Sequence, residues 1–185
     1  ILFELNRGHL IILSDNENRS SILFSSTETI NNNTLNFHKK ISNSFPNILL
    51  SPERCKTLNI ETDYCCSLTL NLEWTIDRIY KLAFGNIVDS DFELNGVVEE
   101  KSKLINLSLQ ILKKGKLLPS GIFSIINNSL IMPADQLAKK NKMPFFNISE
   151  LDEIFGEKKP KIDVIARAKL PIKKNSDAEI IVFKF

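Results

Sequence analysis

Short apolar runs alternate along the chain with segments in which apolar residues recur every three or four positions. The first pattern predicts buried strands and the second predicts amphipathic helices. Strands are predicted at residues 9–13, 22–26, 48–50, 64–70, 120–126 and 143–148. Helices are predicted at residues 33–41, 73–84, 101–114 and 133–141, with shorter ones opening at Pro52 and after Ser149. This alternation predicts an α/β (α+β) fold, a three-layer domain in which helices flank a mixed sheet.

Local signals refine several of these elements. Gly85 is a natural end for the helix over residues 73–84. Ser149 is predicted to cap the last helix, with Asp152 in its first turn. The helix over residues 101–114 has the clearest buried stripe, formed by Leu104, Leu107, Ile111 and Leu112.

The same patterns predict two units in the chain. Residues 1–157 form the main domain, which is followed by the charged, proline-containing segment "GEKKPK". Residues 158–185 contain this linker and two strand-like runs that begin a new unit. The opening "ILFELNRGHL" is typical of the last turns of a helix, so we expect the sequence to be part of a longer chain.

Composition excludes several classes of function. A hydrophobic content of 43% is ordinary for a globular domain, and a net charge of +2 is too small to favour nucleic acid or an anionic membrane as a partner. No apolar run reaches the length of a membrane span. Cys55, Cys65 and Cys66 lack metal-ligand spacing and are interpreted as free, partly buried thiols in a cytoplasmic protein. With 6 glycines, a loop that cradles phosphate is not favoured.

Candidate chemistry lies in "IILSDNENRSSILFSS", where a polar turn connects two apolar runs. Asp15, Glu17 and Arg19 in this turn could bind a phosphate or a metal ion. The alternative is a polar turn in which Arg19 pairs with a carboxylate. His9, next to a strand start, is interpreted as a surface or capping residue, and for His38, on a predicted helix face, a functional role is equally disfavoured.

Several strings, in order, resemble 3,4-dihydroxy-2-butanone 4-phosphate synthase, which makes a four-carbon precursor of riboflavin and formate from ribulose 5-phosphate. They are "RGHLIILSDNENR", "NILLSPERCKTLNI", "ILKKGKLLPSGIFSIINN" and "MPADQLAKKNKMPFFNISEL". The resemblance extends roughly from Asn6 to Phe155. The following "IDVIARAKLP" resembles the entry to GTP cyclohydrolase II, which often follows this synthase in one bifunctional chain.

The motifs of the resembled family are largely replaced in this sequence. Its acidic loop, Asp-Asp-Glu-Asp-Arg-Glu-Asn-Glu-Gly-Asp, is matched here at Asp15, Glu17 and Arg19. The Mg²⁺-binding glutamate of that loop falls on Ser20, and the Glu-Gly-Asp that ends it falls on Ile22, Leu23 and Phe24.

The other motifs are replaced as well. The Gly-His-Thr-Glu motif, whose histidine is the second metal ligand, falls on Lys103, Leu104, Ile105 and Asn106. The family's active-site cysteine falls near Asn47, its late-strand acid falls on Phe123 and Ser124, and its phosphate loop falls within "NLEWTIDR".

The resemblance therefore implies a synthase-like domain without catalytic or metal-binding residues and without the Mg²⁺ of the family. Asp15, Glu17 and Arg19 would be the remnant of a substrate site, and a phosphorylated sugar is the candidate ligand. A homodimer is expected, because the family's enzymes are homodimers. Two alternatives remain: an active riboflavin-pathway enzyme, synthase or GTP cyclohydrolase II, with displaced site residues, and a regulatory module that binds a ligand in a repurposed pocket.

Overall fold

A computed structural model of the protein describes residues 1–41, 45–71, 73–85, 96–126, 132–155, 163–169 and 179–184. In chain order its elements are α1 (Leu2–Asn6), β1 (Ile11–Asp15), β2 (Ser20–Ser26), α2 (Asn32–Ile41), β3 (Asn47–Leu50), α3 (Pro52–Thr57), β4 (Cys66–Thr69), α4 (Ile76–Phe84), β5 (Val98–Glu99), α5 (Lys103–Lys114), β6 (Ser120–Ile125), α6 (Ala134–Asn141), β7 (Phe145–Asn147), α7 (Ile148–Phe155), β8 (Asp163–Lys169) and β9 (Glu179–Lys184).

A seven-stranded sheet forms the centre of the protein, in the order β5-β4-β3-β6-β2-β1-β7. β1 and β2 form an antiparallel hairpin, whereas β7 runs parallel to β1 at the edge of the sheet. The sheet is therefore mixed, as the sequence predicts.

Helices cover both faces of this sheet. Successive side chains of a strand point to opposite sides, so each strand packs against both helix layers. In β2, Phe24 packs in the hydrophobic cluster that includes α5 and α7, and its neighbour Leu23 packs in the cluster that includes α6. In β3, Leu49 joins the α5 cluster, whereas Ile48 joins a cluster with α3 and α4. The central strands are buried on both faces, which explains their continuous apolar runs. The predicted three-layer α/β fold is confirmed.

Helix α5 is the main helix of one layer. Its four predicted stripe residues are all buried: Leu104, Leu107, Ile111 and Leu112. The helix begins at Lys103 rather than at Lys101, after Ser102, and it ends before Gly115. Two basic residues lie in its last turn, where they interact favourably with the exposed carbonyl groups.

The end of α4 is fixed by an arginine from another helix. Arg54 of α3 donates from Nε to the carbonyl oxygen of Leu82 at 2.8 Å, and from Nη2 to those of Lys81 at 2.9 Å and Gly85 at 2.7 Å. The last carbonyls of a helix have no partner within the helix, so this guanidinium satisfies them. Gly85 ends the helix as predicted.

The cap predicted for the last helix is wrong. Helix α7 begins at Ile148, one residue before Ser149. The side chain of Asn147 accepts hydrogen bonds from the backbone nitrogen of Ser149 at 3.0 Å and from its hydroxyl at 2.9 Å. Asn147 ends strand β7 and takes the capping role, because its amide oxygen reaches the first turn of the helix directly. Strand β5, which pairs with β4, was not predicted.

Strands β8 and β9 form a separate antiparallel hairpin. Its apolar side chains are about half exposed, with Ile165 at 64% and Val182 at 48%. This exposure gives no support to packing of the two strands on the main domain. The predicted boundary at residues 157 and 158 lies outside the described residues. Within the described ranges, no helix is both long and apolar enough to cross a membrane.

Candidate functional site

The acidic turn connects the hairpin strands β1 and β2, whose last and first residues, Asp15 and Ser20, face each other. Asp15 is buried and accepts three hydrogen bonds: from the backbone nitrogens of Glu17 at 3.0 Å and Asn18 at 3.1 Å, and from the Asn18 side-chain amide at 2.7 Å. These bonds, the one from the Asn18 side chain above all, keep the pKa of Asp15 below its usual value. Both carboxylate oxygens therefore stabilise the turn itself.

The other two predicted site residues lie at the surface of the turn. Glu17 and Arg19 are exposed, and Arg19 adopts a left-handed backbone conformation, with a φ of 50°. Within the described part of the chain, Arg19 forms no ion pair with a carboxylate, so the predicted pairing is not seen.

The ion pair near the acidic turn is formed by a lysine from α5 instead. Lys103 forms an ion pair with Asp152 of α7, with 2.8 Å between Nζ and Oδ2. This carboxylate raises the pKa of Lys103, and the charges of Glu17 and Asp15 contribute in the same direction. The start of α5 thus faces the acidic turn. A cation here lowers the negative potential that a divalent ion would need.

The positions on which the resembled family's metal ligands fall contain no ligands. Ser20 is half-buried at the start of β2, and Leu104 is 1% exposed. Leu104 packs in the same hydrophobic cluster as Ile22, Phe24 and Phe123, which lie at other positions where the family has acidic residues or their neighbours.

Phe24 is tightly packed against the neighbouring strand. A Cβ added to Gly121 in the neighbouring strand would lie 2.5 Å from the Cε2 and Cζ atoms of the Phe24 ring. Only glycine leaves room for that ring, so Phe24 and Gly121 form a matched pair.

These residues do not fit a Mg²⁺ site. Mg²⁺ requires oxygen ligands with near-octahedral geometry and is usually held by carboxylates. Both oxygens of Asp15 accept hydrogen bonds within the turn, Ser20 offers a neutral hydroxyl, and Leu104 offers no ligand at all. Among the described residues, no group of three or more His, Cys, Asp or Glu side chains could hold a metal ion.

His38 lies on the buried face of α2. Its side chain is fully buried, with Nε2 3.0 Å from the Ser25 hydroxyl and Nδ1 3.0 Å from the Ser124 hydroxyl. Burial lowers the pKa of His38 from 6.5 to about 3, so the ring is neutral. The helical spacing of Leu35, His38 and Ile41 indicated this buried face, but the serine partners lie on other strands and were not predictable.

His9 pairs with a carboxylate, but at the other end of β1. Its Nδ1 lies 2.6 Å from the Glu4 Oε2 atom, and both residues are partly exposed. An extended strand rises about 3.4 Å per residue, which places His9 roughly 20 Å from Asp15. Neither histidine therefore forms a histidine–carboxylate pair at the acidic turn.

The remaining candidate positions have structural roles. Asn47 accepts a hydrogen bond from Thr69 at 2.8 Å, and Thr75, within the segment that resembles the phosphate loop, caps α4. The three cysteines are free and buried, as predicted. Burial raises the pKa of Cys55 to about 12 and that of Cys65 to about 11, which excludes a reactive thiolate near neutral pH.

Comparison with known proteins gives matches among solved structures. No family model matches the sequence, and no curated protein matches it. The crystal structure of a two-domain 3,4-dihydroxy-2-butanone 4-phosphate synthase from A. baumannii superposes with a TM-score of 0.65 at 14% identity, over 99% of this chain. This chain spans 64% of the length of that protein.

Two further structures match the main domain. The 3,4-dihydroxy-2-butanone 4-phosphate synthase of Candida albicans superposes with a TM-score of 0.66 at 20% identity, over 84% of this chain and 95% of that one. A synthase in complex with two magnesium ions superposes with a TM-score of 0.63 at 12% identity, over 84% of this chain and 96% of that one. The chain therefore has the fold of 3,4-dihydroxy-2-butanone 4-phosphate synthase, a mixed sheet with flanking helices.

Proposed function

We propose that this domain keeps the synthase fold, has lost the synthase reaction, and has a structural role in a riboflavin-biosynthesis protein. The observation that carries the proposal is the burial of Leu104 in the hydrophobic core, at the position where the resembled family has a metal-binding histidine. The engagement of both Asp15 oxygens by the turn supports it further.

The chemistry explains why these changes are decisive. The synthase enolises a sugar phosphate, rearranges its carbon skeleton and expels formate, which requires a hard cation on adjacent hydroxyls and a carboxylate base. Removing one acid–base group costs a factor of about 10² to 10⁴ in rate. Losing the metal ligands and the acid together therefore leaves no mechanism at this position.

The test is release of formate from ribulose 5-phosphate in the presence of Mg²⁺, with an active synthase of the same fold as the positive control. We expect no release above the protein-free background. Mg²⁺-dependent formate release that is abolished in Asp15→Asn would contradict the proposal. That outcome would favour the alternative, an active riboflavin-pathway enzyme with displaced residues.

We also propose that the domain forms a homodimer. The resemblance supports this, because the enzymes of the resembled family are homodimers. Sedimentation velocity at micromolar concentration should show a dimer, and a single monomeric species would refute it.

We propose further that residues 158–185 begin a second domain resembling GTP cyclohydrolase II. The exposed hairpin of β8 and β9 supports this, because a lone two-stranded sheet is marginal in water. Superposition over 99% of the chain on a two-domain protein, against 84% on shorter synthases, agrees with it. Truncation after Phe155 should leave the urea midpoint of the main domain unchanged. A clear decrease in that midpoint would show that the hairpin packs on the main domain, and it would contradict the proposal.

Any ligand that the turn still binds is proposed to be a phosphorylated sugar, held by Arg19 as an exposed cation beside the Asp15 turn. Titration with ribose 5-phosphate should show weak binding that Arg19→Ala removes and that Arg7→Ala, a change at another exposed arginine, preserves. Binding unaffected by Arg19→Ala would place the ligand elsewhere.

A further inference from the structure

A pocket of about 430 Å³ lies at the end of β1 opposite the acidic turn. It is an open pocket, lined by residues of α1, of the start of α2 and of the segment between α6 and β7. We call it the His9 pocket and define it by its polar lining residues, Glu4, His9, Asn31, Asn33, Asn141 and Lys142. This volume is within the range of small-molecule sites, about 300–1,000 Å³.

The walls of the His9 pocket are fixed by backbone geometry. Gly8 has a φ of +74°, and a Cβ there would lie 2.5 Å from the carbonyl oxygen of Thr29, so only glycine allows this approach. Asn31 accepts a hydrogen bond from the backbone nitrogen of Thr34 at 3.0 Å and so fixes the start of α2. Lys142 ends α6 in a left-handed conformation, with a φ of 52°. The pocket is therefore formed before any ligand binds.

The polar lining offers both donors and acceptors, and its carboxylate and ammonium groups have opposite charges. A carboxylate can only accept, so in the 2.6 Å contact the Nδ1–H group of His9 donates to Glu4 Oε2. The negative charge of Glu4 is balanced by the positive charge of Lys142. The amides of Asn33 and Asn141 add groups that donate and accept at once.

One side of the His9 pocket is apolar, because Leu10, Phe37, Met143 and Pro144 also line it. An aromatic ring beside paired donors and acceptors suits a compact ligand with hydroxyl groups on its edges and C–H groups on its faces. We propose that the His9 pocket binds an uncharged, polyhydroxylated small molecule of monosaccharide size. This site is independent of the acidic turn and of the function proposed above.

The test is titration of the whole chain with a panel of neutral pentoses and hexoses, followed by amide chemical shifts. Ribose 5-phosphate and gluconate serve as charged probes. We expect saturable millimolar binding of at least one neutral sugar, with the largest shifts at Gly8 and Asn33. Asn33→Ala and Lys142→Gly should each weaken it about two- to tenfold, the range that one hydrogen bond supplies.

The chain offers a matched control for each variant. Asn32→Ala changes the neighbouring exposed residue in the first turn of α2, and Lys116→Gly changes another left-handed lysine, with a φ of 57°, that follows α5. Both should leave binding unchanged. The proposal is overturned if no neutral sugar binds saturably, if the charged probes shift Gly8 and Asn33 at lower concentration than the neutral sugars do, or if the control variants weaken binding as much as the pocket variants.

Discussion

Placing a histidine at Leu104 should destabilise the protein strongly rather than create a metal site. Leu104 is 1% exposed, within the cluster that also contains Phe24 and Phe123. In Leu104→His, an imidazole replaces a fully packed aliphatic side chain on the inner face of α5. The substitution thus tests whether the position on which the resembled family's metal-binding histidine falls is hydrophobic core.

The magnitude follows from two contributions. Truncating a buried leucine to alanine costs about 2–5 kcal/mol because a cavity remains. An imidazole is larger than the alanine methyl group, so it fills part of that cavity. Burying an imidazole without a hydrogen-bond partner adds about 1–3 kcal/mol. We expect a loss of about 3–5 kcal/mol in the free energy of unfolding, a large part of the roughly 5–15 kcal/mol that a domain has. Leu104→Met, which conserves volume, should cost less than about 1.5 kcal/mol.

The assay is urea unfolding followed by the fluorescence of Trp74, the single tryptophan, which is 7% exposed in the core on the other face of the sheet. Ser20→Glu provides the contrast, because the half-buried strand start should tolerate it within about 1 kcal/mol. The reasoning is refuted if Leu104→His is as stable as Leu104→Met. It is also refuted if Mg²⁺ stabilises a variant that carries both Ser20→Glu and Leu104→His.

Three further predictions concern His38, Arg54 and the buried cysteines. The pKa of His38 falls from 6.5 to about 3 on folding, so the unfolded chain binds this proton at a higher pH than the folded protein does. The free energy of unfolding should therefore be highest above about pH 6.5 and should decline toward pH 3. In urea midpoints measured against pH, His38→Gln should flatten that decline. Arg54→Lys should lose about 1–3 kcal/mol, because an ammonium cannot reach three carbonyls as the guanidinium does, whereas Arg7→Lys at the surface should be neutral in the same assay. The pKa values of Cys55 and Cys65 are raised to about 12 and about 11, so iodoacetamide at pH 8 should not modify either thiol in the folded protein but should label both in urea. Mass spectrometry would detect the label, and labelling of the folded protein would contradict the burial.

The sequence predicted the elements whose signals are local and strong. The run Ile22–Leu23–Phe24 indicated a strand buried on both faces, and the stripe of α5 indicated a packed helix. Strand β5 could not be predicted, because two residues give no periodicity and only pairing with β4 defines them. The cap of α7 was placed at Ser149 instead of Asn147, because both residue types cap helices and the choice depends on where β7 ends.

Residue type alone shows which candidate positions cannot bind a metal ion, but it does not show which contacts their side chains make. That Ser20 and Leu104 cannot bind Mg²⁺ follows from residue type alone. That Lys103 pairs with Asp152 beside the turn follows only from the packing of α5 against α7. His38 shows the same limit, since its buried position depends on hydroxyls of two strands that are distant in sequence.

Asp15 has a structural role in the turn that does not require catalysis. The turn between β1 and β2 passes through the left-handed residue Arg19, and its backbone nitrogens need hydrogen-bond acceptors. The Asp15 carboxylate at the end of β1 accepts from two of them, those of Glu17 and Asn18. The Asn18 amide then supplies a third bond, so the carboxylate stays ionised without a metal ion or substrate. Glu17 has no such role, since it is exposed at the tip of the turn. If the turn is retained for folding alone, Asp15→Ala should destabilise the hairpin of β1 and β2 by about 1–3 kcal/mol, and Glu17→Ala should have almost no effect. Equal and small losses in both variants, measured by urea unfolding, would instead favour a functional reason for keeping Asp15.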